Sequence, residues 1–383
     1  MKIMLSVGEA SGDLHGASVA NALKLLQPDI ELFGMGGKAM QAAGVDVVYD
    51  IAGLGVIGFV EVIKNLGKLF ALRDNLAALM DKEQPDALVI IDYPEFNMRL
   101  AKIAKEKGIP VISYISPSAW AWRRGRARDV AGIVSKVAAI FPFEAEVYRE
   151  AGADVTFVGH PLVDIVQPAL SKEEAYRFFA ARSDQPLVLL MPGSRQQEIE
   201  TLLPVMLSAC ELIVEKLPDC QFYLPVASTI SREILQTMLA GYSVQVTLTS
   251  EYTYDLMGLA DAAIAASGTA TLETSLMGAP TVILYRMAPL TYLLGKLLVK
   301  IPDIGLPNIV AGRRIVPELL QAAVTPDAIA TETVRLIADP AARNQVLADL
   351  AEVKAKLGKT GAVKRVAEVI LEVASRSTSE VST

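Results

Sequence analysis

The chain has 383 residues, of which 52% are hydrophobic and 21% are charged, a balance typical of a folded protein and not of a disordered one. A net charge of −7 gives no general reason to expect nucleic acid as a partner. Two cysteines, Cys210 and Cys220, exclude a disulfide framework, and the sequence has no metal-ligand spacing. The length favours two α/β domains over one core.

The first half of the chain alternates short apolar runs with segments of helical periodicity. The runs predicted to be strands are residues 3–7, 31–34, 87–91, 111–115 and 137–141. A loop is predicted at residues 8–13, followed by a helix from Leu14 to Leu26. Continuous apolar strands separated by helices predict a parallel sheet that is covered on both faces.

The same pattern restarts in the second half. Its predicted strands are residues 187–190, 221–226, 244–248, 262–266 and 281–284. We place the hinge in residues 161–184, which contain Pro161, Pro168 and a charged stretch. The prediction is two Rossmann-like doubly wound domains that face each other across a cleft, at residues 1–165 and 166–340. Residues 341–383 are expected to be helical and to return to the first domain or be exchanged in a dimer.

Two turns in the second half are suited to a nucleotide diphosphate. Residues 191–195 and residues 267–273 each join a predicted strand to a predicted helix, whose first N–H groups and positive dipole end would face a ligand. Glycine allows close approach, Arg195 can grip phosphate in two places, and Glu273 can accept ribose hydroxyls. The predicted nucleotide contacts are Gly193, Ser194, Arg195, Ser267, Gly268, Thr269 and Glu273.

Three carboxylates in the first half are candidates for a general base. Asp92 directly follows the run 87–91, so it should stand at the carboxyl end of a strand. Its alternative role is to cap the turn before Pro94. Glu9 and Asp13 are rivals in the first loop, where Asp13 could instead cap the helix that starts at Leu14.

The two histidines and the spacing of the glycines give further indications of the function. A lone histidine is usually structural, so a direct catalytic role for His15 is the less favoured interpretation, and His160 is expected to shape the cleft. A dehydrogenase is disfavoured, because neither residues 8–13 nor residues 34–37 have the glycine spacing of a dinucleotide site.

Two apolar segments interrupted by lysines, residues 53–72 and 286–301, suggest contact with a membrane surface. From spacing alone, a fully buried helix is the better explanation. Trp122 and Arg123 belong to a stretch rich in tryptophan and arginine that could be an RNA patch. The acidity of the chain and its two nucleotide turns favour a lipid phosphate as the partner of this stretch instead.

Eight short motifs, taken together and in order, resemble the lipid-A-disaccharide synthase family. They are GEASGD (8–13), IDYPEFN (91–97), SPSAWAWR (116–123), FPFE (141–144), VGHP (158–161), PGSR (192–195), SGTATLE (267–273) and LPN (306–308). The resemblance extends from about residue 3 to about residue 321 and is carried little further. Tyr93 and Glu95 stand where family members often have Ala and Asp, which leaves Asp92 undisturbed.

The resemblance implies a fold of the GT-B type and an inverting transfer of 2,3-diacylglucosamine from its UDP derivative to 2,3-diacylglucosamine 1-phosphate. The products would be a β-1,6-linked disaccharide 1-phosphate and UDP, with no metal and no cofactor. It also implies a cytoplasmic protein, peripheral on the inner membrane, and allows a homodimer. Catalysis would fall to Asp92, Glu9 or Asp13, and Asn308 would join the UDP site. The residues expected to meet the acceptor or its acyl chains are Ser11, His15, Trp122, Arg123, Ile57, Phe59, Ile63 and Leu66.

Two other functions remain open from the sequence. A UDP-sugar 2-epimerase can share the two domains and the diphosphate turns, but it has little use for two apolar, lysine-containing segments. A non-catalytic nucleotide-sugar-binding protein would keep the turns and need no carboxylate at the position of Asp92.

Overall fold

A computed structural model describes residues 1–53, 59–116, 124–227, 229–287 and 303–380, without the side chains at 53, 59–66, 124 and 377–380. The chain forms two compact units. The first comprises Met1–Asp164 and Gly358–Thr383, and the second comprises Ile165–Leu357. The C-terminal segment therefore belongs to the first unit from Gly358 onward, whereas residues 341–357 stay with the second.

The described part of the first unit contains one sheet of seven parallel strands. They are β1 (Lys2–Val7), β2 (Glu31–Gly36), β3 (Asp46–Asp50), β4 (Ala87–Ile91), β5 (Val111–Tyr114), β6 (Lys136–Ala139) and β7 (Val155–Phe157). Their order is β3-β2-β1-β4-β5-β6-β7, so the chain reverses its direction across the sheet between β1 and β4. Ligands of such sheets bind beyond the carboxyl ends of the strands at this reversal.

Helices cover the first sheet. They are α1 (Ala10–Leu26), α2 (Lys38–Ala42), α3 (Phe59–Glu83), α4 (Pro94–Glu106), α5 (Arg124–Ile133), α6 (Pro142–Glu150) and α7 (Leu162–Ile165). The central strands β1 and β4 are buried almost throughout, since helices pack over them.

The described second unit is built around six parallel strands. They are β8 (Leu187–Met191), β9 (Gln221–Pro225), β10 (Val246–Thr249), β11 (Ala262–Ala266), β12 (Thr281–Tyr285) and β13 (Glu318–Leu320). The order β10-β9-β8-β11-β12-β13 places the reversal between β8 and β11. Two doubly wound parallel sheets confirm the predicted fold class.

The helices of the second unit complete its layers. They are α8 (Lys172–Phe179), α9 (Gln196–Lys216), α10 (Arg232–Leu239), α11 (Thr253–Leu259), α12 (Thr269–Leu276), α13 (Leu306–Ala311), α14 (Pro326–Ala338) and α15 (Pro340–Lys356). The last helix, α16 (Ala362–Glu380), packs on α1 of the first unit. The Asp164 carboxylate accepts hydrogen bonds from the backbone of Gly361 and Ala362 and so caps this helix.

Several boundaries predicted from the sequence were wrong. The strands β3, β7 and β13 were missed, because edge strands are short and lack a continuous apolar run. The first helix begins at Ala10 and not at Leu14. A Cβ at Gly12 would lie 3.3 Å from the Val7 Cβ, so this small residue lets the first helical turn rest directly on the strand. Among the described helices, none is long and apolar enough to cross a membrane.

Candidate functional site

The two turns predicted to hold a nucleotide lie next to each other in the second unit. They follow β8 and β11, which are hydrogen-bonded neighbours in register from Ala262 opposite Val188 to Ala265 opposite Met191. These two strands also flank the reversal of the second sheet. The fold therefore brings both turns to the carboxyl edge where ligands bind in open parallel sheets.

The turn after β8 is closed by a carboxylate of its own helix. The Glu198 Oε2 atom accepts hydrogen bonds from Ser194 N at 3.2 Å and Arg195 N at 3.4 Å, and Oε1 lies 3.3 Å from Arg195 Nη1. Gly193, with φ of +121°, has no room for a Cβ beside this carboxylate. A glutamate at the third helical position commonly fills the N–H groups of a helix start. An internal anion thus occupies the donors expected to meet a phosphate.

The turn after β11 is open. Gly268 precedes α12, and no described side chain caps the first turn of this helix. Thr271 stands at the third helical position, where its hydroxyl donates to the Gly268 carbonyl at 2.8 Å instead of accepting from an N–H group. Gly268 and Thr269 are exposed, and Ser267 is half-buried. The N–H groups and dipole of this helix start face solvent, where they can receive an anion.

Glu273 lies one turn further along α12. It is half-buried, and burial raises the pKa of its carboxyl group. Tyr254 lies close enough that the Glu273 charge contributes, after burial, to raising the tyrosine pKa. Among the described residues, no side chain or backbone group donates a hydrogen bond to the Glu273 carboxylate. Its acceptor positions are therefore available for two ligand hydroxyls.

Asn308, expected to contact UDP, is instead built into the fold. It is fully buried, and its amide nitrogen donates to Val316 O at 3.0 Å and Glu318 Oε1 at 2.7 Å. Its amide oxygen accepts from the backbone N–H groups of Ile315 at 2.7 Å and Val316 at 3.0 Å. All four hydrogen-bonding positions of the amide are filled, so the side chain holds the segment before β13 and has no capacity left for a ligand.

In the first unit, Asp92 stands directly after β4, at the reversal of the sheet. Asp92 and Tyr93 have left-handed backbones, with φ of +56° and +49°. The buried Asn97 side chain donates to Asp92 O at 2.7 Å and to Ser6 O at 3.1 Å, which ties the turn to the end of β1. Asp92 Oδ1 accepts from Tyr93 N at 2.8 Å, a hydrogen bond inside the turn before Pro94, while no side chain caps the start of α4. The half-exposed carboxylate keeps its second oxygen for a ligand, and strained turns of this kind concentrate at functional sites.

His15 lies near Asp92, and His160 lies near His15. Burial lowers the pKa of the half-buried His15, while the nearby Asp92 opposes this effect. The His15 ring meets Tyr114 edge-on, with ring centroids 6.4 Å apart. Burial, reinforced by His15, lowers the pKa of His160 to about 3. His160 Nδ1 accepts a hydrogen bond from Leu162 N at 3.2 Å, and its role in shaping a cleft stays a prediction.

The remaining first-loop candidates occupy different environments. Asp13 is buried, and its carboxylate accepts backbone hydrogen bonds from Gly37 at 2.8 Å, Ala39 at 2.9 Å and Met40 at 3.1 Å. Asp13 therefore caps α2. The alternative role predicted for it, capping the helix that follows it in the sequence, was wrong. Glu9, at the start of α1, is exposed, as is Ser11 within its first turn.

Several predicted acceptor contacts fall outside the described structure. Ile57, Trp122 and Arg123 lie outside the described residues, as do positions 288–301 of the second apolar segment. Phe59, Ile63 and Leu66 belong to α3, but their side chains are not described. Their contact with acyl chains remains a prediction.

Two residues that shape the sites, Glu198 and Asn97, were not among those predicted from the sequence. The spacing of Glu198, three residues after Arg195, is a capping-box signal that could have been read. Asn97 lies within one of the recognised motifs, but its position below the turn required the structure. Across the part of the chain that is described, no three His, Cys, Asp or Glu side chains cluster as a metal site would need.

Comparison with known proteins decides the family. The model of the lipid-A-disaccharide synthetase family matches residues 3–371. The chain belongs to the lipid-A-disaccharide synthase family. It is 43% identical to the lipid-A-disaccharide synthase of Syntrophus aciditrophicus over 98% of each chain, and 44% identical to that of Geobacter sulfurreducens over 97% of each. The protein is a glycosyltransferase of lipid A biosynthesis.

Solved structures support the architecture. The UDP-GlcNAc 2-epimerase of Neisseria meningitidis, bound to UDP-GlcNAc, superposes with a TM-score of 0.64 at 15% identity, covering 97% of this chain and 100% of that one. MurG of Acinetobacter baumannii gives a TM-score of 0.61 at 15% identity, covering 97% and 99%. At such low identity these likenesses show the GT-B type of fold alone, and family membership does not favour the epimerase alternative.

Proposed function

We propose that this lipid-A-disaccharide synthase transfers 2,3-diacylglucosamine from UDP-2,3-diacylglucosamine to the 6-hydroxyl of 2,3-diacylglucosamine 1-phosphate, with inversion at the anomeric carbon. The products are the β-1,6-linked disaccharide 1-phosphate and UDP. The observation that carries this proposal is the adjacency of two strand-to-helix turns at the reversal of the second sheet, with the Glu273 carboxylate one turn beyond. No described residue donates a hydrogen bond to this carboxylate.

In this proposal UDP binds to the second unit. The two ribose hydroxyls donate to Glu273, whose acceptor positions are open. The diphosphate meets the uncapped start of α12 at Gly268 and Thr269. Arg195, whose side chain is 83% exposed, turns from Glu198 to the phosphate. These donors stabilise the negative charge that develops as UDP leaves.

Asp92 is the proposed general base in the first unit. The acceptor 6-oxygen attacks the anomeric carbon of the donor on the face opposite UDP. The bond from that carbon to the UDP oxygen breaks, and the hydroxyl proton passes to Asp92. A half-exposed carboxylate held at a strand end by a rigid turn suits this task. Glu9 remains a rival, whereas the three backbone hydrogen bonds of Asp13 account for that residue without catalysis.

We further propose peripheral contact with the cytoplasmic face of the inner membrane through residues 57–70 and 290–298. Both substrates are lipids, and an enzyme that draws them from a bilayer needs an apolar surface with cations beside it. Exposed Phe70, with the Arg73 guanidinium 5.1 Å from its ring centroid, offers such a pair. A homodimer is compatible with this proposal and is not required by it.

The direct test is a reaction of the purified protein with the two diacylated substrates in detergent. The expected result is one disaccharide 1-phosphate for each UDP released, with a β-1,6 linkage by NMR. Failure to consume the diacylated donor, together with interconversion of a soluble UDP-sugar, would instead identify an epimerase.

A further inference from the structure

A groove of about 710 Å³ runs between α4 and α5 on the first unit. Both helices follow strands of the parallel sheet and begin near its carboxyl edge. One end of the groove is formed by Pro94, two residues after Asp92. Met98, Val130 and Ile133 give it an apolar lining. The groove therefore starts beside the proposed general base and leads away from it along the outside of the unit.

Charged side chains line the same groove with an excess of cations. Arg99 and Lys102 come from α4 and Arg126 from α5, against Glu95 and Asp129. Arg126 forms an ion pair with Glu95. Arg99 and Lys102 are exposed, and neither pairs with a carboxylate among the described residues. With Arg126 paired to Glu95, Arg99 and Lys102 face one remaining carboxylate, Asp129, so the groove keeps a net positive charge over its apolar lining. Such a surface suits an amphiphile that carries an anionic group.

The surface continues from the groove towards α3. The Arg99 guanidinium lies 5.7 Å from the ring centroid of Phe70, which is 40% exposed. This cation–π interaction fixes the positions of both side chains at the surface. Arg99 is thereby placed between the groove and the helix whose first residues are expected to meet acyl chains.

We propose that the groove between α4 and α5 binds the phosphate monoester of the acceptor lipid. Arg99 and Lys102 supply the cations, and Arg126 exchanges Glu95 for a phosphate oxygen. This inference rests on the proposed reaction, in which the acceptor phosphate lies one sugar ring away from the hydroxyl that Asp92 deprotonates. The position of the groove beside Asp92 and its charge favour the acceptor phosphate over a phosphate of the donor, which the turns of the second unit receive.

The experiment pairs a charge-removing variant with a phosphate-removing substrate. The Arg99→Gln/Lys102→Gln protein is compared with wild type on the acceptor with and without its 1-phosphate, at saturating UDP-diacylglucosamine. Wild type should prefer the phosphorylated acceptor in kcat/KM. In the variant this preference should fall by a factor on the order of ten, because the KM for the phosphorylated acceptor rises. The KM for the donor should stay unchanged.

A matched control removes the same charge from the same helices outside the groove. Arg128 is exposed on α5, and Lys105 lies on α4, where it donates to the Gly132 carbonyl. The Lys105→Gln/Arg128→Gln protein should keep the full preference for the phosphorylated acceptor. An equal loss in this control would show a general effect of charge and would overturn the proposal.

Further outcomes distinguish the acceptor phosphate from bilayer headgroups as the ligand of the groove. They also distinguish failure of this proposal from failure of the proposed reaction. Unchanged acceptor preference in Arg99→Gln/Lys102→Gln, with weaker binding to phosphatidylglycerol vesicles, would assign the groove to bilayer headgroups and overturn the proposal. Unchanged preference without any loss of vesicle binding would overturn it as well. If wild type converts neither acceptor, the proposed reaction itself is wrong. If the variant turns over both acceptors normally, the reaction stands and only the role of the groove is wrong.

Discussion

The two turns at the carboxyl edge of the second sheet begin alike and end differently. Each follows a buried strand, passes through a glycine and enters a helix. At the third helical position the first turn has Glu198, whose carboxylate accepts from its own N–H groups. The second turn has Thr271, whose hydroxyl donates backwards to a carbonyl. One helix start is therefore filled by an internal anion, and the other is open.

If UDP binds as proposed, this difference gives the two turns different tasks. An open helix start can receive phosphate directly through its N–H groups and dipole. At the filled start, a phosphate would have to compete with the Glu198 carboxylate for the same donors, so the Arg195 side chain becomes the main contribution of that turn. The open turn, with Glu273 beside it, should then dominate affinity.

The largest effect on binding is expected from Glu273→Ala. Loss of hydrogen bonds to a charged partner costs about 1.5–3 kcal/mol, which weakens UDP binding by about 10–150-fold. Because the contact is to ribose, uridine and UMP should weaken to the same extent as UDP. Calorimetry with the three ligands measures this, with the exposed Glu215→Ala as control. Wild-type affinity in Glu273→Ala would remove the ribose assignment.

Arg195→Ala should weaken UDP binding less than Glu273→Ala does, and only for ligands that carry phosphate. The side chain is 83% exposed, so solvent screens part of its interaction with phosphate. UDP should bind about 5–20-fold more weakly, while uridine should be unaffected, because it has no phosphate. Arg177→Ala, which removes an exposed arginine from α8, is the control. Equal losses for uridine and UDP would show that Arg195 acts through the fold and not through phosphate.

Glu198→Gln should act in the opposite direction. Removal of the negative charge that competes with the diphosphate is expected to tighten UDP binding by about 2–5-fold, since the neutral amide retains a weaker cap. The Glu200→Gln variant removes an exposed charge from the same helix, where Glu200 accepts from Gln196 at 2.7 Å, and should leave affinity unchanged. Weaker binding in Glu198→Gln would mean that the carboxylate holds the turn in its binding form.

The affinity for UDP should begin to fall at a higher pH than an ordinary carboxyl group would cause, while the affinity above that pH stays unchanged. Burial raises the pKa of Glu273, and the ionised form is the one that accepts both ribose hydroxyls. As pH falls, protonation of Glu273 therefore weakens binding at a higher pH than an ordinary carboxyl group would. Titration of uridine affinity against pH measures this. In Glu273→Gln the acidic decline should flatten, and an unchanged profile would assign it to another group.

The sequence was sufficient for the buried strands and for the residues that follow them. Central strands such as β4 and β11 are continuous apolar runs, so their carboxyl ends, and hence Asp92 and Ser267, could be placed without coordinates. The edge strands β3 and β13 could not be placed, since β3 alternates between exposed and half-buried positions and β13 has three residues. The edge strand β10 was predicted, at residues 244–248.

What a polar side chain bonds to was much harder to predict than where it stands. Asp13 and Asn308 were predicted as candidate catalytic and UDP-binding residues, but the oxygens of both accept hydrogen bonds from backbone N–H groups, 24 and 7 residues further along the chain. Glu198 is the converse case, because its partner is local and its spacing is visible in the sequence. Hydrogen bonds between distant parts of the chain have no short motif, so the partners of Asp13 were not visible in the sequence.

The central claim is that the second unit binds UDP while Asp92 of the first unit takes the proton, and Asp92→Asn tests it most directly. Asparagine tolerates the left-handed backbone at this position and can keep the hydrogen bond from Tyr93 N, so the turn should persist. We predict unchanged UDP affinity and turnover lowered by about 10²–10⁴-fold. Near-normal turnover in the folded variant would contradict the account and transfer the role to Glu9.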